Sequence, residues 1–107
     1  MPSEKTLTRN ILRWLNQQPH SFFFKLHAGG WGHSGMPDII GHSRGAFYAF
    51  EVKRPPSPGN RRGVLSPLQA TTIDRINKTR PPERHQLAFV VQSLDEVRDC
   101  LSYDSRS

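Results

Sequence analysis

Cysteine is all but missing from this chain: Cys100 is the only one among 107 residues. A single thiol excludes an internal disulfide framework, and the expected setting is a reducing cytoplasm. Acids are scarce beside bases, 9 Asp and Glu against 15 Lys and Arg, giving a net charge of +6 and a pI near 10.3. That balance points to a polyanionic partner, nucleic acid before membrane. Apolar residues make up 35% of the chain, a low share that suits a thin sheet covered by a few helices. No apolar run approaches the roughly 20 residues of a membrane span. Met1-Pro2-Ser3-Glu4-Lys5 lacks the charged-then-apolar pattern of a signal peptide. No repeat is visible. His20, His27, His33, His42 and His85 are scattered, with no zinc-like spacing to Cys100. They read as surface or strand-end histidines. The glycine-rich run from Ala28 to Gly35 lacks the Gly-Lys-Ser/Thr of a nucleotide-hydrolase loop. It either lets backbone approach a ligand or forms a wide turn.

What is present centres on Ala46-Phe47-Tyr48-Ala49-Phe50-Glu51-Val52-Lys53. Five uncharged, mostly bulky residues read as a buried strand, closed by an acid and a base two positions apart. Alternation puts Glu51 and Lys53 on one face. Upstream, Gly35-Met36-Pro37-Asp38-Ile39-Ile40-Gly41 opens another strand with an acid at its start. If Arg44-Gly45 is a two-residue hairpin loop, Ser43 faces Ala46 and, along the same ladder, Asp38 faces Glu51. Facing Cβ atoms stand about 4.5–5.5 Å apart, where like charges repel. A hard divalent cation, which takes oxygen ligands, would turn that repulsion into a site. A solvated strand end with a weak surface ion pair is the plainer alternative for Glu51 and Lys53.

The remaining elements follow in order. A helix is expected from Glu4 to Gln17, capped by Ser3, with Leu7, Ile11, Trp14 and Leu15 on one stripe. Glu4 lies on that stripe, either as an acid favoured by the helix dipole or as a third carboxylate aimed at a metal. Phe22 to His27 reads as a first strand, Pro37 to His42 as a second and Ala46 to Lys53 as a third. Arg54 to Gly63 is a basic, proline-rich loop. Arg54, Arg61 and Arg62 make the best phosphate-contact patch there, with Lys25 a further candidate; a solvated loop and strand face are the alternatives. Ser66-Pro67-Leu68-Gln69 is a capping box that opens a second helix, stopped at Pro81-Pro82. Gln86 to Val91 is a fourth strand, and Ser93-Leu94-Asp95-Glu96 caps a last helix with Leu94, Val97 and Leu101 inward. The fourth strand, arriving after a helix, should lie parallel to the third by a right-handed crossover. The expected fold is a single α/β domain over residues 1–107, its core at about 3–101 and a frayed tail from Ser102.

These residues in this order resemble the PD-(D/E)xK nuclease superfamily, and more closely its VRR-NUC (virus-type replication-repair nuclease) branch, in particular short stand-alone phage members. The matching features are Glu4, Gly35-x-Pro37-Asp38, Glu51-Val52-Lys53 and Ser66-Pro67-x-Gln69, followed by an apolar strand, Ser93 and an acidic helix start. The resemblance spans about Ser3 to Leu101. It implies a restriction-endonuclease-like αβββαβ(α) core, a mixed four-stranded sheet flanked by helices. It further implies a metal-dependent DNA endonuclease, selective for branched DNA such as Holliday junctions and acting as a homodimer. Asp38 and Glu51 would hold Mg²⁺, with Mn²⁺ able to substitute, joined by the Val52 carbonyl; Glu4 would be a direct or outer ligand. Lys53 would position or activate the attacking water, and Gln69 would support the site. Two departures are Thr79 to Arg84, where the family often has glycine, and the proline-rich Pro55–Gly63 loop. The competing expectation is a basic nucleic-acid-binding module that keeps the fold without the chemistry.

Overall fold

The computed structural model describes residues 3–26, 35–55 and 64–105. Arg61, Arg62 and most of the glycine-rich run therefore lie outside the described residues, as do His27 and His33. The element order is α1 (Glu4–Gln17), β1 (Ser21–Lys25), β2 (Ile39–Ser43), β3 (Ala46–Val52), α2 (Pro67–Lys78), β4 (Ala88–Val91) and α3 (Leu94–Ser105). α1 begins where the Ser3 hydroxyl accepts the Thr6 N–H, satisfying one of the free donors of the first turn. Its apolar stripe places Ile11 and Leu15 wholly inside, with Leu7 and Trp14 packed on the margin.

Strands β1, β2 and β3 form an antiparallel meander, and β4 joins β3 in parallel, in the order β1-β2-β3-β4. The β2–β3 connection is the two-residue turn expected from Arg44-Gly45. Both residues take positive φ, 53° and 82°, the conformation of a hairpin turn whose twist matches that of its strands. Ser43 pairs with Ala46 and Ile39 with Phe50. The parallel β3–β4 pair is made possible by α2, since parallel neighbours need a long crossover.

The two sheet faces differ. On one, Phe23, Ile39, Tyr48, Phe50, Val52 and Val91 pack against Ile11 and Leu15 of α1 and Val97 of α3, forming the core. Phe23, Tyr48, Phe50 and Phe89 add ring-to-ring contacts at centroid separations of 5.8–6.4 Å. Gly41 lets β1 and the Phe23 ring lie close: a Cβ there would stand 2.1 Å from the Phe22 carbonyl oxygen and 2.6 Å from the Phe23 Cα. Gly41→Ala must therefore push backbone apart and is expected to cost at least about 1–3 kcal/mol of stability, as overpacking does; urea unfolding checks it. The opposite face carries α2 toward its β4 side, and none of the α2 residues is buried. Phe22, Phe24 and Phe47 on that face remain 62%, 43% and 40% exposed.

Both outer strands are stoppered. The Asn16 side chain, from the last turn of α1, accepts the Phe23 N–H at 2.9 Å and donates to its carbonyl at 3.1 Å. Asn77 of α2 does the same for Ala88 on β4, at 2.8 and 3.1 Å. Each amide stands in for a neighbouring strand, at the middle of β1 and at the start of β4, which hinders edge-to-edge pairing there.

Expectations change in detail at several element ends: β3 stops at Val52 and β4 begins at Ala88. β1 starts at Ser21 and ends at Lys25, earlier than expected, while β2 begins only at Ile39. The Glu96 carboxylate reaches back to the Gln92 N–H, one residue short of a full capping box at Ser93. α3 runs through Ser105, past Ser102, the expected start of the tail, and Cys100 and Leu101 pack on the core.

Candidate active site

Asp38 directly precedes β2, and Glu51 and Val52 end β3. The ladder explains how they meet. From Ile39 opposite Phe50, one further step sets Asp38 opposite Glu51. The main chain of Asp38 is held in line by the Leu26 N–H, which donates to its carbonyl at 2.8 Å. Pro37 is buried at the step before, where it has no N–H to contribute. The Val52 N–H donates to Asp38 Oδ2 at 2.7 Å. Asp38 thus closes the β2–β3 ladder with its side chain, which fixes one carboxylate oxygen. In a strand the N–H and C=O of one residue face the same neighbour, so the Val52 carbonyl is directed to the same side as its N–H.

Glu51 is 2% exposed. Its Oε2 accepts a hydrogen bond from Gln69 Nε2 at 3.2 Å and lies 3.6 Å from Lys53 Nζ. Its Oε1 is buried and receives no hydrogen bond. Burial pushes the Glu51 carboxyl up to about 8; the charge of Asp38 and a proton shared with it add to the rise, and Lys53 partly offsets it. Without a cation, the buried Glu51 carboxyl thus keeps its proton at neutral pH.

Gln69 has two tasks at once. The Ser66 hydroxyl accepts the Gln69 N–H at 3.1 Å, and Gln69 Oε1 accepts the Ser66 N–H at 2.9 Å, completing the capping box of α2. With its oxygen held by Ser66, the amide must turn its nitrogen toward Glu51. The capping and supporting roles left open by the sequence are one hydrogen-bonded chain, Ser66–Gln69–Glu51. Gly35, at φ 84°, lets this helix start come close: a Cβ there would stand 2.7 Å from the Leu68 side chain. Gln69→Glu separates the two tasks. Glutamate serves a capping box as well as glutamine, but it withdraws the donor and adds a third carboxyl beside Glu51. Activity of that variant is expected to fall about tenfold or more, the loss of a hydrogen bond to a charged group. Single-turnover rates equal to those of the parent chain would leave capping as the only role.

Glu4 is drawn to the same end of the sheet, where its Oε2 accepts the Arg54 N–H at 3.0 Å. It anchors the chain leaving β3, just past Lys53. Among the described residues no three His, Cys, Asp or Glu side chains group together as metal ligands, so Glu4 does not join Asp38 and Glu51 in a three-ligand cluster. Lys25 is set apart: it pairs with the core residue Ile39, which gives it the parity of the helix-covered face, opposite to the carboxylates. Arg54 is exposed beside the site, while Arg61 and Arg62 lie outside the described residues.

The donor set fits a small, hard cation. Two carboxylates at close quarters, one with an orphaned buried oxygen, match Mg²⁺, which keeps several waters and needs few protein ligands. Zinc would call for nitrogen or sulfur ligands, and none stands among these residues. One contributor is not visible in the sequence, the Val52 N–H that anchors Asp38, whereas the Ser66 N–H that aims the Gln69 amide belongs to the capping box already legible there. Main-chain donors carry no sequence signal beyond the register and the capping box themselves. Comparison of the chain with protein-family models, with curated proteins and with solved structures finds no match.

Proposed function

We propose that this chain is a divalent-metal-dependent nuclease that hydrolyses phosphodiester bonds of DNA through Asp38, Glu51 and Lys53. The observation that supports it most is the buried Glu51 carboxyl, raised to about 8 beside Asp38, with an ammonium 3.6 Å away. Such an arrangement is costly for a merely structural cluster, because a buried charge or orphaned oxygen disfavours folding, and perturbed carboxyls of this kind gather at functional sites. Mg²⁺ or Mn²⁺ held by the two carboxylates and the Val52 carbonyl would neutralise phosphate charge and make a water a better nucleophile. The residues of the chain supply the rest. Asp38 is immobilised by the Val52 N–H. Gln69 fixes one oxygen of Glu51, leaving the other to face the incoming group. Lys53 contributes a compact positive charge able to orient a water or a phosphate oxygen. Glu4 holds the Arg54 main chain and hence the path by which Lys53 leaves the strand.

The net charge of +6 supports DNA as the substrate, and the resemblance in motif order supports branched DNA in particular. The test is direct. Four-way, flap and linear duplex DNA are incubated with the full chain in Mg²⁺ or in EDTA. Cleavage in Mg²⁺ alone, strongest on a branched substrate, is expected. Binding without cleavage under both conditions would replace this reading with that of a basic binding module.

A further inference from the structure

One face of the sheet carries a row of rings. In the ladder Phe22 stands opposite His42, and His42 opposite Phe47. All three are exposed, and they form a single rung across β1, β2 and β3. On the next rung is Phe24, its ring centroid 6.1 Å from that of Phe22. The rung after that runs from Leu26 through Asp38 to Glu51. Rings and carboxylates therefore share a face, with the outer ring row roughly 13 Å along the strands from the acids at about 3.4 Å per residue.

We propose that Phe22, Phe24, His42 and Phe47 form a stacking platform for unpaired bases of a nucleic-acid strand whose backbone leads to the carboxylate pair; the link to that pair rests on the nuclease reading above. Ring faces stack on any base, and sheets that bind single strands present aromatic side chains on an open face in this way. The charges agree. The chain carries +6, and neither ring-bearing rung of β1, β2 and β3 contains an Asp or Glu. Arg75 and Phe47 both line an apolar cleft of about 770 Å³ between α2 and the sheet. Lys53 stands at the carboxylate end. Arg75 beside Phe47 and Lys53 at the carboxylate end suit a strand with phosphates outside and bases inward.

Two other occupants fit less well. An added peptide strand needs a free edge, and Asn16 occupies the β1 edge at mid-strand while Asn77 occupies the start of the β4 edge. A second copy of this chain would bury two His42 imidazoles among phenyl rings, which is costly unless each gains a hydrogen bond. It would also bring two chains of +6 together.

The experiment measures binding in EDTA, so that cleavage plays no part. The full chain is titrated into fluorescein-labelled oligothymidylate and into a duplex of the same length, followed by anisotropy. Phe22→Ala and Phe47→Ala are each expected to weaken single-strand binding about tenfold, as loss of one stacked base does, and to change duplex binding less than twofold. Phe47→Trp should restore the preference. Equal losses on both DNAs, or no loss on the single strand, would overturn the platform. Sedimentation provides a further readout. If the parent chain self-associates and the alanine variants dissociate it without weakening single-strand binding, the face is a self-association surface and the proposal fails. Should an alanine variant not fold, ring-proton shifts of the parent chain on adding oligothymidylate decide: movement confined to residues remote from Phe22, Phe24 and Phe47 overturns it. Failure of Mg²⁺-dependent cleavage with intact single-strand preference would sink the nuclease reading alone; the reverse result would sink only the platform.

Discussion

Glu51→Gln is expected to abolish metal-dependent cleavage and, in the same molecule, to make the metal-free fold more stable at alkaline pH. Both effects come from the raised Glu51 carboxyl. In the unfolded chain it titrates near 4.5, and in the folded chain near 8. Between those values the folded state holds a proton that the unfolded state has lost, so rising pH favours unfolding. The contribution is complete below pH 4.5 and is lost as pH climbs to about 8. Within that window each pH unit costs up to about 1.4 kcal/mol. Glutamine carries no titrating proton. Its oxygen can still accept from Gln69 and its nitrogen can donate to Asp38, so the pair is satisfied at every pH. The thermal unfolding temperature in EDTA from pH 5 to 9 should therefore fall for the parent chain until about pH 8 and level off beyond it, while Glu51→Gln stays level throughout, with the largest gap at the alkaline end. Divalent metal should narrow that gap only in the parent chain, because binding displaces the Glu51 proton. Parallel pH profiles for the two proteins would show that Glu51 is not the buried acid described here; full cleavage by the variant would remove it from the site.

Lys53→Met is expected to lower the rate of cleavage by about 10²–10⁴-fold, the range for losing a positioned proton-transfer or orienting group. It should do so while metal still binds, since both carboxylates remain. The ammonium at 3.6 Å from Glu51 Oε2 holds the carboxyl down. Its removal should move the acid to a still higher pH and shift the pH dependence of metal binding the same way. Lys53→Arg keeps the charge but replaces a compact ammonium with a broad planar group, and it should rescue the shift more fully than the rate. Metal titration by calorimetry and single-turnover kinetics separate the two. A rate unchanged in Lys53→Met would assign the lysine to a structural ion pair.

Much of this fold was legible because local signals agreed with one another. Ser3 and the stripe Leu7, Ile11, Leu15 define α1, Ser66-Pro67 with Gln69 defines α2, and Arg44-Gly45 sets the β2–β3 register. Once that turn is known to hold two residues, the facing of Asp38 and Glu51 follows from chain geometry. Strand ends were less legible. The limits of β1 and β2 depend on which main-chain groups find partners across the sheet, and Asp38 ends one ladder with its side chain.

The sequence by itself determined the β2–β3 hairpin and the parallel crossover, and, given a two-residue turn, the facing of two acids, because turn length and hydrophobic period are local properties that fix register and face. Only the tertiary structure decided what surrounds those acids. Glu51 is raised to about 8 because α2 and the strand ends exclude water around it, and burial sums over residues far apart in the chain. The same holds for Asn16 and Asn77 at the edges and for the open row Phe22, His42 and Phe47. Whether an aromatic strand residue is core or surface depends on which face the helices cover, and that is settled only when all the elements pack together.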